Sequence, residues 1–242
     1  MVLFGGFGTI FAQNNSENNG IEIKVKHLSD ANYVSSAEVE KMLRNKGLYS
    51  EKTLPSHINT SKINSVVEAL AGVKSAKCYI SKNNKLVVEI TQCKPLFRVM
   101  KSNGRNFFVS EDGKIVEAGA GFFVDIPIVT TSTEVKIEFA KGELSEFVKF
   151  IENDDFLKNL VVQIVSERTK NGKDSITLIP RAGNQVIIVG ELHDADNEPN
   201  FKAKLNRLKT FYEKQVLDVK GWNAYSKIDL RFKNKIYCTK KN

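Results

Sequence analysis

Apolar residues along this chain follow two periodicities, and the switches between them mark out its elements. Ile21-Glu-Ile-Lys-Val-Lys26 alternates with period two, as a strand with one buried side does. Ser35-Ser-Ala-Glu38 has the spacing of a capping box, and Val39, Met42 and Leu43 behind it form a short helical stripe. Ile63, Val66, Val67 and Leu70 recur at i, i+3, i+4 and i+7, so they line one side of a second helix. Gly72 stands where a left-handed residue would cap that helix. Two alternating runs follow. Ala76, Cys78 and Ile80 share one face of the first, and Leu86, Val88 and Ile90 share one face of the second. Lys82-Asn-Asn84 between them predicts a hairpin turn. The order is strand, helix, helix, strand, strand.

After Pro95 strands dominate. They are expected over Leu96–Met100, Asn106–Val109, Lys114–Val116, Ile126–Val129, Val161–Glu167, Ser175–Ile179, Gln185–Val189, Ser226–Phe232 and Lys235–Thr239. Asn171-Gly-Lys-Asp174 and Gly183-Asn184 flag hairpins among them. Two helices interrupt the series. One covers about Glu143–Ile151, with Leu144, Phe147, Val148 and Ile151 on one face. The other covers about Glu198–Lys214, begins with Pro199 in its first turn, and carries Phe201, Leu205, Leu208 and Tyr212 as its stripe. The fold class expected is α+β: a small βααββ module over 21–92, then a larger, mostly antiparallel β-sheet domain over 93–242 with helices packed on one face.

The first twenty residues stand apart from this pattern. Residues 1–12, MVLFGGFGTIFA, are apolar and uncharged but shorter than the roughly 20 residues a membrane span needs. Residues 13–20, QNNSENNG, read as a polar linker. Charge is concentrated at the other end. Residues 201–242 hold twelve Lys and Arg against three Asp and Glu, a net of +9, while the first 200 residues carry 24 against 25. The basic residues surround an apolar helical stripe rather than interleaved stacking aromatics, so a nucleic-acid surface is not expected. A cationic face of this kind suits solvent, an acidic partner or anionic lipid heads.

Candidate chemistry is sparse. His27, His57 and His193 have no partner spacing, and neither a nucleophile elbow nor a zinc helix motif occurs. Gly5-Gly-Phe-Gly8 imitates a phosphate loop but follows no strand and precedes no lysine. Cys78, Cys93 and Cys238 lack zinc spacing and read as small buried hydrophobes. Glu191, His193, Asp194, Asp196 and Glu198 form an acidic cluster. Aligned as a calcium loop from Asp194, however, its sixth position is Pro199, where the turn needs glycine. These acids are expected instead to favour the N-terminus of the following helix. No catalytic residue, cofactor site or metal site is assigned.

The order of elements, Leu70, Gly72, Val73 and Ala76 at the end of the second helix, and Pro95 after the third strand together resemble a POTRA module. The version most similar is that of the FtsQ/DivIB family of bacterial division proteins, which usually has Glu-Arg-x-Pro where this chain has Gln92-Cys93-Lys94-Pro95. Further along, Phe108-Val-Ser-Glu-Asp-Gly113, Leu178-Ile-Pro-Arg181, Val186-Ile-Ile-Val-Gly190 and Ile228-Asp-Leu-Arg231 resemble successive segments of that family's β domain. Phe232 stands where the family usually has tyrosine. The resemblance spans about 21–240.

It implies a non-enzymatic scaffold in the cell inner membrane. Residues 1–12 would be the remnant of a single-pass N-terminal anchor, with the bulk of the chain in the periplasm at the division septum. The implied partners are FtsB/DivIC and FtsL, docking by strand addition at the C-terminal edge, with other division proteins met through the POTRA module. The partner-binding residues expected are Ile228, Asp229, Leu230, Arg231, Phe232, Asn234, Lys235, Ile236 and Tyr237. Arg231 would offer its guanidinium fork to partner carboxylates, and Phe232 an apolar anchor. The rival is a POTRA-type docking arm of an outer-membrane assembly or secretion system.

Overall fold

The computed structural model describes residues 18–29, 32–104, 106–117, 125–132, 135–194, 198–214 and 223–241. The apolar segment 1–12 and residues 13–17 of the linker lie outside them. Among the described residues no helix is long and apolar enough to cross a membrane. The chain forms two compact units. The first runs up to Lys26 and resumes over Val34–Thr91; the second takes the His27–Tyr33 connector and everything from Gln92 onward.

In the first unit, strand β1 (Ile21–Lys26) is followed by helices α1 (Ser36–Asn45) and α2 (Thr60–Glu68), then strands β2 (Val73–Ile80) and β3 (Leu86–Gln92). The sheet order is β1-β3-β2. The two helices carry the chain across, so β1 pairs parallel to β3, from Ile21 opposite Leu86 to Lys26 opposite Thr91. Of the predicted stripes, Val39 and Leu43, Ile63 and Val67, and Leu86, Val88 and Ile90 are buried, while Met42, Val66, Leu70 and the Ala76, Cys78 and Ile80 face are half-buried. α1 packs on β1 and α2 on β2. Asn84, at φ +56°, closes the turn between β2 and β3.

Two local expectations need correction. Ser35 is the N-cap of α1, and its carbonyl accepts the Val39 N–H at 3.0 Å, but its side chain makes no capping bond. The capping box is therefore not formed. Gly72 is left-handed, at φ +84°, but it does not cap α2, which ends at Glu68 with Ala69 as C-cap. It serves the Leu70–Val73 turn instead, where the Val73 N–H meets the Leu70 carbonyl at 3.2 Å.

The second unit is built on one nine-stranded sheet. Its elements in chain order are β4 (Pro95–Lys101), β5 (Asn106–Ser110), β6 (Ile115–Glu117), β7 (Ile128–Thr131), α3 (Ile137–Lys141), α4 (Glu143–Glu152), α5 (Asp155–Leu160), β8 (Val161–Arg168), β9 (Asp174–Pro180), β10 (Val186–Gly190), α6 (Phe201–Phe211), β11 (Tyr225–Asp229) and β12 (Tyr237–Lys240). Across the sheet the order is β12-β11-β10-β9-β8-β7-β4-β5-β6. Most neighbours are antiparallel. The parallel pairs, β4–β7, β7–β8 and β10–β11, occur at chain crossovers, two of which carry helices between the paired strands.

Burial alternates along the strands: Ile176, Leu178 and Pro180 are buried, while Ser175, Thr177 and Ile179 are half-buried. The buried face shares one core with Leu144, Phe147, Val148 and Ile151 of α4 and with Phe201, Leu205, Leu208 and Tyr212 at α6. The short helices α3 and α5 had no sequence signal long enough to show a helical period. α6 begins two residues later than Pro199. That proline forms an isolated bridge with His193, and the N–H of Asn200, the N-cap, is bound to the Leu192 carbonyl at 3.0 Å, so the helix starts only at Phe201.

α5 depends on its cap. Asp154 Oδ1 accepts the Phe156 and Leu157 N–H groups at 3.0 Å each, and its Oδ2 accepts Lys209 Nζ at 2.7 Å. Asp154→Ala is expected to cost about 1–2 kcal/mol in urea unfolding, as an N-cap loss does. The Lys209 ammonium and the cap amides hold this carboxyl below its usual range. Its contribution is therefore complete above about pH 4 and disappears as pH falls through the lowered value. A loss that did not shrink on acidification would contradict this account.

Candidate functional site

β12 is the last strand of the sheet. It pairs antiparallel with β11, and no described strand pairs with its outer side. An edge of this kind is where a further strand can add. The register places Ile228 opposite Cys238 and Asp229 opposite Tyr237.

The nine expected contact residues divide by depth. Ile228, Asp229 and Leu230 are 1%, 4% and 0% exposed, so their side chains support the edge from within. Arg231, Phe232, Asn234, Lys235 and Tyr237 are exposed and Ile236 is half-buried. Phe232 and Tyr237 stand out because large apolar groups remain open in both, and their rings pack edge to face with centroids 4.5 Å apart. Asp229 is the sole carboxylate among residues 223–241, which carry Lys227, Arg231, Lys233, Lys235, Lys240 and Lys241. The edge is cationic. Beside it lies a groove of about 500 Å³, walled by Arg207, Thr210, Phe211 and Lys214 on one side and Asn234 and Ile236 on the other.

The strand expected over Ser226–Phe232 stops at Asp229, and the reason is local. Asp229 turns its carboxylate onto the residues that follow: Oδ1 accepts the Arg231 N–H at 3.1 Å and Nε at 2.9 Å, and Oδ2 accepts Nη2 at 2.6 Å. The Arg231 fork is thus engaged inside the chain, and this edge of its guanidinium is not open to a partner. Arg231 in return holds the Asp229 carboxyl below the ordinary range. The arginine stem lies over Gly190 (φ +76°), where an added Cβ would sit 2.7 Å from Arg231 Cγ. Glycine is required there for close approach as well as for its backbone conformation.

Lys204 differs from its expected place on a solvated face. It is 8% exposed, and its Nζ donates to the Glu191 carbonyl at 2.7 Å. Burial, with Arg207 nearby, pushes its pKa down to about 8. Native Lys204 therefore sheds its proton before the unfolded chain does, and stability rises with pH from about 8 to about 10. Lys204→Met removes that rise. Urea titrations at about pH 7.5 and 9.5 should show wild type gaining on the order of 1 kcal/mol relative to the variant. Parallel behaviour of the two proteins would rule the assignment out.

The acidic cluster is tied to other elements rather than to the end of α6. Glu191 Oε2 meets Lys173 Nζ at 2.9 Å, His193 Nδ1 meets Glu143 Oε2 at 3.0 Å, and Asp194 Oδ1 accepts the Glu198 N–H at 2.9 Å. Asp196 lies outside the described residues. The expected role of these acids at the helix N-terminus is thus replaced by cross-links between the β8–β9 hairpin, α4 and the loop after β10. Among the described residues no group of three or more His, Cys, Asp or Glu could hold a metal ion.

The comparisons with known proteins agree with the architecture. A family model described as FtsQ/DivIB, C-terminal related, matches residues 94–239, and one for a POTRA-like domain matches residues 17–91. No curated protein matches the chain. The first match covers the nine-stranded unit and its terminal edge, and the second covers the three-stranded unit. FtsQ/DivIB and POTRA domains are typically non-catalytic. Matched over more than half its length by the first model and carrying a POTRA module ahead of it, the chain belongs to the FtsQ/DivIB family of cell-division scaffold proteins.

Proposed function

We propose that this protein is a non-enzymatic divisome scaffold that binds FtsB/DivIC, itself paired with FtsL, through its C-terminal β edge and so assembles and regulates septal cell-wall synthesis. It is held in the cell inner membrane by a single N-terminal span, and its two units lie in the periplasm at the septum. The observation that carries this reading is the outer side of β12, against which no described strand pairs, with the exposed Phe232–Tyr237 ring pair beside it among lysines. Backbone pairing supplies affinity there, the two rings supply an anchor, and the positive field favours an acidic segment. The POTRA module remains available to other division proteins.

The test is a calorimetric titration of the full chain with the periplasmic segments of the same organism's FtsB/DivIC and FtsL homologues. Wild type is expected to bind at micromolar affinity or tighter, and Phe232→Ala combined with Tyr237→Ala to weaken binding by about 100-fold. Arg231 is left unchanged, because replacing it would uncover Asp229. A folded wild type that binds neither segment would sink the proposal.

A further inference from the structure

The connection between β11 and β12, Leu230–Ile236, carries much of the exposed docking surface, yet it is longer than the tight turns that set their own conformation, about two to five residues. Something outside it must hold it. Leu230 is fully buried, and its N–H reaches the Ile188 carbonyl at 2.8 Å, which fixes the start. From α6, Arg207 Nη2 donates to the Leu230 and Phe232 carbonyls at 3.3 Å each. From β11, Asp229 takes both the main-chain N–H and the guanidinium of Arg231. Between these two clamps the chain turns: the Lys235 N–H meets the Phe232 carbonyl at 3.3 Å, and Asn234 adopts φ +56°. Phe232 is thereby returned against Tyr237.

We propose that Arg207 and Asp229 are positioning residues for the docking edge, holding Leu230–Ile236 in its binding conformation before any partner arrives. The inference rests on the reading that this edge docks a partner. The clamps come from different elements and act on opposite groups, a cation on carbonyls and an anion on an N–H and a guanidinium. Without Arg207 the two carbonyls lose their shared donor, and the segment carrying Phe232 samples many conformations. A partner would then have to order it at the moment of binding, which lowers affinity without removing a direct contact.

The experiment uses the full chain, titrated with the FtsB/DivIC homologue segment named above, together with amide hydrogen exchange of the unbound protein. Arg207→Met is expected to weaken binding by about ten-fold and to speed exchange at Arg231 and Lys235, while β8–β10 amides stay protected. Arg207→Lys keeps a cation able to reach one carbonyl, and is expected to recover affinity to within about three-fold of wild type. A merely structural role would instead lower protection throughout the sheet and give no rescue by lysine. Asp229→Asn keeps the shape and one acceptor, and should loosen the same amides should Arg207→Met fail to fold. Arg207→Met and Asp229→Asn binding as tightly as wild type would overturn the inference and leave the docking reading intact. Failure of wild type itself to bind removes the docking reading, and this inference with it.

Discussion

Replacing Phe201 by alanine is expected to remove about 3–5 kcal/mol of folding stability, the largest effect of any substitution considered for this protein. Phe201 opens α6 and is completely buried. Its ring meets that of Phe147 edge to face, with centroids 5.5 Å apart at 84°, and that of Phe150 at 5.9 Å and 77°. Truncation leaves a ring-sized cavity between α4 and α6 and ends both aromatic contacts, each worth about 0.5–1.5 kcal/mol beyond its area. A domain is typically stable by only about 5–15 kcal/mol, so the variant keeps little reserve. Phe201→Leu fills most of the space and should cost less than half as much. Urea unfolding measures both. A loss below about 1 kcal/mol for alanine would mean that α6 is not seated as described.

Removing Arg231 comes next. Asp229 is 4% exposed, and its carboxylate is satisfied by Arg231 through the side-chain fork and the main-chain N–H. Arg231→Ala keeps the main-chain bond but leaves a buried negative charge without its cation, which is expected to cost about 2–4 kcal/mol. Two checks separate this cause from lost packing over Gly190. Adding Asp229→Asn to Arg231→Ala removes the uncompensated charge, so the double variant should recover more than half of the loss. Acidification supplies the second check, with a definite sign. In wild type the arginine keeps the Asp229 carboxyl below its usual range, so its contribution is present above about pH 4 and fades as pH falls through the lowered value. In the variant the stranded carboxylate takes up a proton more readily within the fold, and the penalty shrinks. The two stability curves should therefore converge toward low pH. A constant gap would assign the loss to packing alone.

Two further consequences concern the family. The stretch Ile228-Asp-Leu-Arg231 reads in sequence as a strand whose arginine faces a partner, but here Asp and Arg close on one another and end the strand. The residues left to meet a partner under the proposed function are the exposed or half-buried ones of the turn and of β12: Phe232, Asn234, Lys235, Ile236 and Tyr237. Under the proposed function, an acidic segment lying along β12 would find lysines rather than a free guanidinium fork as its first electrostatic contacts.

Periodicity alone determined much of this protein. The α2 stripe through Ile63 and Val67, the α4 stripe from Leu144 to Ile151 and the α6 stripe from Phe201 to Tyr212 all mark faces that the structure buries, whereas the alternating Ile21, Ile23 and Val25 of β1 are only half-buried. These signals are legible because burying apolar surface is the dominant local demand, and each element must turn its apolar side inward on its own period. They were enough for the α+β class, and the resemblance carried by Leu70–Ala76, Pro95 and Ile228–Arg231 pointed to the POTRA module and the family. Short elements escaped. α3 and α5 hold too few residues to show a period, and Pro199 resembled a helix start although its backbone is drawn into a bridge with His193.

The site depended on tertiary contacts that carry no sequence signature. Lys202, Lys204 and Arg207 are all basic residues of α6, yet Lys204 is buried on a carbonyl, Arg207 clamps a distant loop, and Lys202 faces solvent. Asp229, too, is distinguished from any solvated strand residue only by its burial beside Arg231. Pairing between polar groups depends on which surfaces the packed sheet and helices bring within hydrogen-bond reach. That is a property of three-dimensional distance, whereas apolar burial is already written in the spacing of residues along the chain.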